Sequence, residues 1–99
     1  MITGSQCRAG RALVEITRAK LALRSGVDEA VIARFERELK DPGQPAIAAL
    51  AKALEELGAV FIGENGGGIG VRLKFNSSEA KRIAQLEAEG GIVANDRVP

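Results

Sequence analysis

The chain has 99 residues, 45% of them hydrophobic, with three Phe and no Trp, Tyr or His. One small domain with an aliphatic core is expected, because a chain this short cannot bury a second independent core. The 14 Lys and Arg nearly balance the 13 Asp and Glu, which excludes a globally basic field that would attract nucleic acid. The first forty residues differ, with eight basic side chains against five acidic ones, so any electrostatic footprint is expected there.

The residue types also limit the chemistry. One cysteine cannot form an internal disulfide, and without histidine there is no imidazole base, nucleophile–base pair or plausible metal cluster. We therefore expect no catalytic residues, no metal site and no cofactor. The sequence shows no signal peptide and no run that could span a bilayer, which predicts a cytoplasmic protein with no membrane partner.

The first predicted helix follows Thr3-Gly-Ser-Gln6, which has the pattern of a capping box. The helix should run for about a dozen residues and end near Ile16. Its expected inward residues are Cys7, Gly10, Leu13 and Val14.

Two short helices joined by a tight turn come next. Thr17 can cap a helix from Arg18 to Arg24, and Asp28 can cap another that runs to about Arg37. Between them Gly26 can supply the positive φ that a tight turn needs. The apolar residues of these helices are Leu21, Ala22, Val31, Ile32 and Phe35.

The second half of the chain changes from a helical to a strand period. Pro45 suits the first turn of a fourth helix that Gly58 ends, with apolar residues at Ile47, Leu50, Leu54 and Leu57. Residues 59–62 and 71–75 then predict a β-hairpin around a Gly-rich loop. Val71, Leu73 and Phe75 should share one face, opposite Arg72 and Lys74. Ser77 or Ser78 is expected to cap a last helix, to about Glu89.

The residues from 3 to about 58 resemble the Xre/Cro family of phage-repressor-like helix-turn-helix regulators. With Arg18 as the first motif position, the small residue at the fifth is Ala22 and the glycine at the ninth is Gly26. The apolar residues at positions four, ten, fifteen and eighteen are Leu21, Val27, Ile32 and Phe35. Arg11 and Glu36 stand where the family commonly pairs an arginine with a glutamate.

The resemblance implies a mainly α fold: a lambda-repressor-like helix-turn-helix bundle with an appended C-terminal β-hairpin and a short terminal helix. Residues 26–37 followed by residues 49–75 are also similar to a small bacterial subfamily of such regulators with a hairpin appended. We expect residues 1–58 to bind DNA, residues 59–75 to mediate dimerisation, and residues 76–99 to form a C-terminal helix and tail.

The resemblance also places functional residues. Asp28 faces the major groove at the start of the recognition helix, and the base contacts are expected from Glu29, Ala30, Ala33 and Arg34. Contacts with the DNA backbone are expected from Thr17, Arg18, Lys20, Arg37 and Lys40. Two departures from the family stand out: Arg18 and Lys20 are cations in a helix's first turn, which a docked phosphate would stabilise, and Glu38 replaces a common glycine.

Several of these residues have a second interpretation. Asp28 and Glu29 can serve only as a helix cap and a dipole partner, or Glu29 can accept a hydrogen bond from cytosine N4. Arg34 can bind guanine or phosphate, or form an i, i+4 bridge with Glu38. Cys7 can be a small core residue, an intersubunit disulfide partner or an oxidation sensor.

The predicted function is a DNA-binding transcription regulator, a dimeric repressor that reads a palindromic operator. Val71, Leu73 and Phe75 are the expected dimerisation residues, unless the hairpin packs only onto its own helices. The alternatives are an antitoxin-type autorepressor that also binds a toxin, and a protein-binding regulator without DNA binding. In either case the C-terminal helix is a candidate surface for a protein partner.

Overall fold

The computed structural model describes residues 1–64 and 66–74, which form four helices followed by a two-stranded antiparallel hairpin. The predicted mainly helical fold with an appended hairpin is confirmed. Phe75 and the predicted terminal helix lie outside the described residues. The elements are α1 (Gly4–Val14), α2 (Arg18–Ser25), α3 (Glu29–Glu36), α4 (Gln44–Glu56), β1 (Ala59–Ile62) and β2 (Gly70–Leu73).

The predicted side-chain caps of the first three helices are present, and the cap predicted at Ser77 or Ser78 lies outside the described residues. The Thr3 hydroxyl accepts from the Gln6 amide at 3.1 Å while the Gln6 side chain accepts from the Thr3 amide at 3.0 Å, which completes the capping box. Thr17 caps α2 and Asp28 caps α3, by accepting from backbone amides at 3.1 and 3.2 Å. Gly26 adopts φ +79° at the turn between these two helices. Local sequence therefore determines where the first three helices begin.

The C-terminal half of α1 differs from the sequence prediction. The helix ends at Val14 rather than near Ile16, because Glu15 adopts a left-handed conformation with φ +60°. Leu13 was predicted to face inward, and this was wrong, since it is 38% exposed. Cys7, Gly10 and Val14 follow one helical stripe, and Leu13 is rotated about 100° from Val14, onto the flank.

Glu15→Gly is expected to stabilise the protein by about 0.5–1 kcal/mol. An L residue in the left-handed region is strained by roughly 1–2 kcal/mol, and part of the gain from glycine is offset by its greater unfolded-chain entropy. Urea unfolding followed by circular dichroism would measure the change. The matched control is Ala9→Gly on exposed mid-helix backbone of α1, which should destabilise by about 1 kcal/mol; equal effects of the two changes would contradict the assignment.

The core lies where α1, α2, α3 and α4 meet, and the hairpin covers one side of it. Its fully buried side chains include Cys7, Leu21, Ile32, Leu50 and Leu54. The hairpin pairs Ala59 with Leu73 and Ile62 with Gly70. Val71 and Phe61 pack against the core, whereas Arg72 and Lys74 are exposed, so the predicted alternation of β2 is confirmed over the described residues.

The hairpin is fixed to the N-terminal end of α1 by the side chain of Gln6. Gln6 is 5% exposed, and its Nε2 donates to the carbonyl oxygens of Ile62 at 3.1 Å and Gly70 at 2.8 Å. Its Oε1 is already used by the capping box. The side-chain amide of Gln6 therefore uses both of its N–H donors and its oxygen acceptor. Its hydrogen bonds connect α1 to both strands of the hairpin.

Candidate nucleic-acid interface

The C-terminal end of α3 is anchored to α1 by a largely buried ion pair. Arg11 Nε and Nη2 donate to the two carboxylate oxygens of Glu36 at 2.8 and 2.9 Å. Glu36 is 3% exposed, and the Arg11 side chain is 18% exposed. The hydrogen bond that Arg11 donates to Glu36 raises the pKa of Arg11 above its ordinary value. The predicted pairing is confirmed, and it holds α3 in a fixed orientation.

A close backbone approach adds a second anchor. Gly4, in the first turn of α1, lies against the last turn of α3, where an added Cβ would overlap the carbonyl oxygen of Phe35 and lie 3.2 Å from Glu36 Cα. Only glycine fits this position. The N-terminal end of α1 and the C-terminal end of α3 are therefore in direct backbone contact.

Anchored in this way, α3 presents its other face to solvent. Glu29, Ala30 and Arg34 are exposed and Ala33 is half-buried. Within residues 1–64 and 66–74 no ion pair or hydrogen bond engages the Arg34 side chain, so the alternative bridge from Arg34 to Glu38 does not form. Glu38 instead accepts a hydrogen bond from the Ser5 hydroxyl at 2.9 Å. The guanidinium of Arg34 is available to a ligand.

The start of α2 carries cations beside a capped N-terminus. Lys20 is exposed and Arg18 is half-exposed. The Thr17 hydroxyl oxygen accepts the cap bond from the Lys20 amide, which leaves its proton free to donate to an anion. An anion at this position would meet the positive end of the helix dipole as well as two cations.

The loop between α3 and α4 places Lys40, a predicted phosphate contact, next to Arg34, a predicted base contact on α3. Arg37 and Lys40 are both exposed. A cavity of about 260 Å³ next to α3 is lined by Val31, Arg34, Lys40, Asp41 and Pro42. Arg34, predicted to contact bases, and Lys40, predicted to contact phosphate, therefore share one concave surface.

Two features shape this loop. Glu38 adopts φ +60°, so the position where the family often has glycine keeps the left-handed turn despite its side chain. The Asp41 carboxylate accepts from the Gly43 amide at 2.7 Å, which fixes the chain before α4. The predicted loop contacts are thus held by local hydrogen bonds and a strained backbone.

Cys7 belongs to the core and not to the surface. It is fully buried, and its Sγ donates to Glu36 Oε2 at 3.5 Å. Burial, followed by the charge of Glu36, raises the pKa of the Cys7 thiol from 9.0 to about 12. Because the thiolate is the reactive form, this environment argues against oxidation sensing and against an intersubunit disulfide.

The Cys7 thiol is expected to resist titration and alkylation in the folded protein. Its folded pKa of about 12 lies above the unfolded value of 9.0, so the unfolded chain loses this proton first and the thiol's contribution to stability falls as pH rises between those values. Thiolate absorbance at 240 nm should appear near pH 9 only in urea. A folded-state titration near pH 9, or rapid labelling at neutral pH, would contradict the buried position.

Several residues of this framework were not predicted from the sequence. Gln6 was assigned only a local capping role, and its contact with the hairpin depends on residues more than fifty positions away. Gly4 was read as part of a cap, and nothing local signals its contact with Phe35.

Comparison with known protein families matches residues 8–57, half of the chain, to a family described as helix-turn-helix. The chain belongs to the Xre/Cro-like helix-turn-helix family. It is thus a DNA-binding helix-turn-helix regulator of transcription, and the family is one of regulator domains rather than enzymes. A search of curated proteins found no match for this helix-turn-helix regulator. None of its described helices combines the length and apolar character needed to cross a membrane.

Proposed function

We propose that this regulator is a dimeric repressor that reads a palindromic operator with α3. The observation that carries the proposal is Arg34: it is exposed on α3 and unpaired among the described residues, and it shares a cavity with Lys40. A planar guanidinium in this position can bond guanine O6 and N7 in the major groove. The other base contacts in the proposal come from Glu29, Ala30 and Ala33.

The proposed contacts with the DNA backbone lie on both sides of α3. The capped N-terminus of α2 supplies a hydroxyl and two cations on one side, and the loop after α3 supplies two cations on the other. Such contacts position the protein without reading sequence. The proposed phosphate-binding residues are Thr17, Arg18, Lys20, Arg37 and Lys40.

The acids at the start of α3 are compatible with this surface. Asp28 uses one carboxylate oxygen to cap the helix. Glu29 is exposed in the first turn, where it can accept from a cytosine amine. The acids reduce the net positive charge of the surface, so fewer counterions are released on binding, and non-specific binding should be weak and should depend less steeply on salt.

A dimer follows from the size of the recognition surface. One eight-residue helix specifies few base pairs, and regulators of this kind read half-sites about one helical turn apart as two-fold dimers. In this proposal residues 1–58 bind DNA and residues 59–75 join the two copies, with Val71, Leu73 and Phe75 as the dimerisation residues. The remaining residues, 76–99, are proposed as a site for a protein partner.

The proposal is tested by selecting duplexes from a random library with the purified protein and measuring affinity by fluorescence anisotropy over a range of salt. Arg34→Ala should weaken binding to the selected duplex by about 5- to 150-fold, since a bidentate contact with a base contributes roughly 1–3 kcal/mol. The wild-type affinity should fall with a negative log–log salt slope.

The matched control is Lys52→Ala, which removes an exposed cation from α4 and should leave the affinity within about twofold, as expected for a change away from the contacts. Equal losses in both variants would indicate a general charge effect. If no duplex is enriched at low salt, the proposal is wrong, and a protein-binding regulator with Asp28 and Glu29 facing a basic partner becomes the better hypothesis.

A further inference from the structure

The hydrogen-bonding pattern of the hairpin identifies which backbone groups of β2 are free. The Lys74 amide donates to the Gly58 carbonyl at 2.7 Å, so these residues form a hydrogen-bonded pair. Opposed residues of an antiparallel ladder alternate between hydrogen-bonded and non-hydrogen-bonded pairs. With Ile62 opposite Gly70, the hydrogen-bonded pairs are those at even positions of β2, and the amides and carbonyls of Val71 and Leu73 point away from β1.

A second observation fixes the same pattern. Gln6 Nε2 bonds the carbonyl oxygens of both Ile62 and Gly70, so these two oxygens lie close together. Carbonyls of a non-hydrogen-bonded pair would point to opposite edges of the hairpin, out of reach of one nitrogen. The outer edge of β2 therefore carries the backbone groups of Val71 and Leu73.

This edge has no strand partner among the described residues. Among residues 1–64 and 66–74 the sheet contains β1 and β2 alone, and the Arg72 guanidinium donates to the Leu73 carbonyl at this edge at 3.2 Å. An edge with unpaired amides is a template for another strand. The Val71 side chain packs against the protein's own core and the Leu73 side chain is half-buried, so these residues offer a partner chiefly their backbone amides and carbonyls.

Charge restricts how a second copy can pair with this edge across a two-fold axis. If Arg72 lay on the axis, it would directly oppose Arg72 of the partner. If Leu73 lay on the axis, Arg72 would oppose the partner's Lys74. Like charges directly opposite each other across a strand pair are destabilising.

A two-fold axis at Val71 avoids both conflicts. Arg72 then lies opposite Gly70 of the other copy, which has no side chain. Leu73 lies opposite Ile69, which is 44% exposed in one copy and would be partly covered. Registers shifted further toward the loop would place Leu73 against Gly67, which lies in a bend.

We propose that two copies of this chain pair β2 with β2 in antiparallel orientation, with Val71 on the two-fold axis, to form a four-stranded sheet. The pairing rests on the proposed homodimer and specifies its interface and register. Val71 bonds Val71 of the other copy, and Leu73 bonds Ile69 on each side. The Arg72 guanidinium leaves the Leu73 carbonyl when the partner's amide takes its place.

Cysteine cross-linking tests the register. In the proposed register residues 70 and 72 of opposite copies form a non-hydrogen-bonded pair, whose side chains are the closest across the strands. The variant with both Gly70→Cys and Arg72→Cys should form a disulfide-linked dimer under mild oxidation, in most of the chains. Each single variant and the wild type should remain monomeric on a non-reducing gel, since Cys7 is buried.

Sedimentation and duplex binding, measured on the same reduced variants, separate this proposal from the proposed function. Cross-linking by Arg72→Cys alone would overturn the register. A dimer in sedimentation without any cross-link would overturn the interface. A monomer at all concentrations and on DNA would overturn both the interface and the homodimer, while Arg34-dependent binding of the duplex would still support DNA reading.

A second variant covers the case in which Gly70→Cys does not fold, although a Cβ there meets only Ile62 at 3.8 Å. Val71→Pro removes an amide that points away from β1, so the hairpin ladder is retained. It should weaken dimerisation at least tenfold in sedimentation. An unchanged dimer would overturn the pairing of β2 with β2.

Discussion

Gly4→Ala is expected to destabilise the protein by about 3 kcal/mol, the upper part of the range for overpacking a tight contact. The added methyl would overlap the Phe35 carbonyl oxygen, with Glu36 Cα also 3.2 Å away. Both are backbone atoms that cannot rotate aside. Relief requires α1 and α3 to separate, so the unfolding midpoint in urea, followed by circular dichroism, should fall sharply.

Gly63→Ala is the matched control. A Cβ at Gly63 meets nothing within 4 Å, and the residue does not adopt a positive φ, so the change should be within about 0.5 kcal/mol of neutral. If Gly4→Ala were as mild as Gly63→Ala, the close packing of α1 on α3 would be wrong. A folded Gly4→Ala protein that had lost only DNA affinity would instead show that the contact orients α3 without stabilising the fold.

Arg11→Ala is expected to destabilise the protein by about 3 kcal/mol or more. It leaves the Glu36 carboxylate, 3% exposed, without its bidentate partner, and breaking a buried ion pair from one side costs roughly 3–5 kcal/mol. The partial exposure of Arg11 places the expected value at the lower end of that range. Thermal and urea unfolding would both measure it.

The double variant Arg11→Met with Glu36→Leu distinguishes the cost of an unpaired Glu36 carboxylate from the loss of packing by the Arg11 side chain. It removes both charges and keeps apolar volume, so its loss of stability should be clearly smaller than that of Arg11→Ala. A double variant as unstable as Arg11→Ala would indicate that packing by the arginine stem, and not the stranded carboxylate, determines the effect. A neutral Arg11→Ala would mean that Glu36 reaches water.

Much of the fold could be predicted because its signals are local. The caps at Thr3, Thr17 and Asp28 depend on side chains that bond amides two or three residues away. The turn at Gly26 could be predicted because it requires only a positive φ at that residue. The apolar residues in α2 and α3 recur with the helical period, and this spacing can be read directly from the sequence. The Arg11–Glu36 pair was predicted through family resemblance alone.

The errors and omissions have a common cause. Leu13 has the right residue type for the core but sits on the flank of α1, where no other element covers it fully. The inward stripe of α1 could not be located until α3 and the hairpin were placed against it. When neighbouring helix positions are all apolar or small, periodicity shows how wide the apolar face is but not which of its residues point toward the core.

Part of the candidate interface could likewise be predicted from the sequence, and part could not. The sequence identified the exposed cations and the residues of the recognition helix, because residue type and motif position suffice for that. The cavity that Arg34 and Lys40 share, and the Ser5 hydroxyl that takes Glu38 away from Arg34, depend on how the loop after α3 folds back. Side-chain partners across such a loop cannot be derived from spacing.

The sequence by itself determined the helix-turn-helix, its caps, its turn and the change to a β-hairpin, since each depends on interactions within a few residues. Only the tertiary structure decided that Gly4 meets the Phe35 carbonyl, that Gln6 holds the hairpin, and that Val71 faces the protein's own core. These contacts join residues about thirty to sixty positions apart. Their geometry exists only after α1 has packed against α3 and the hairpin, because close packing, unlike periodicity, has no local signature.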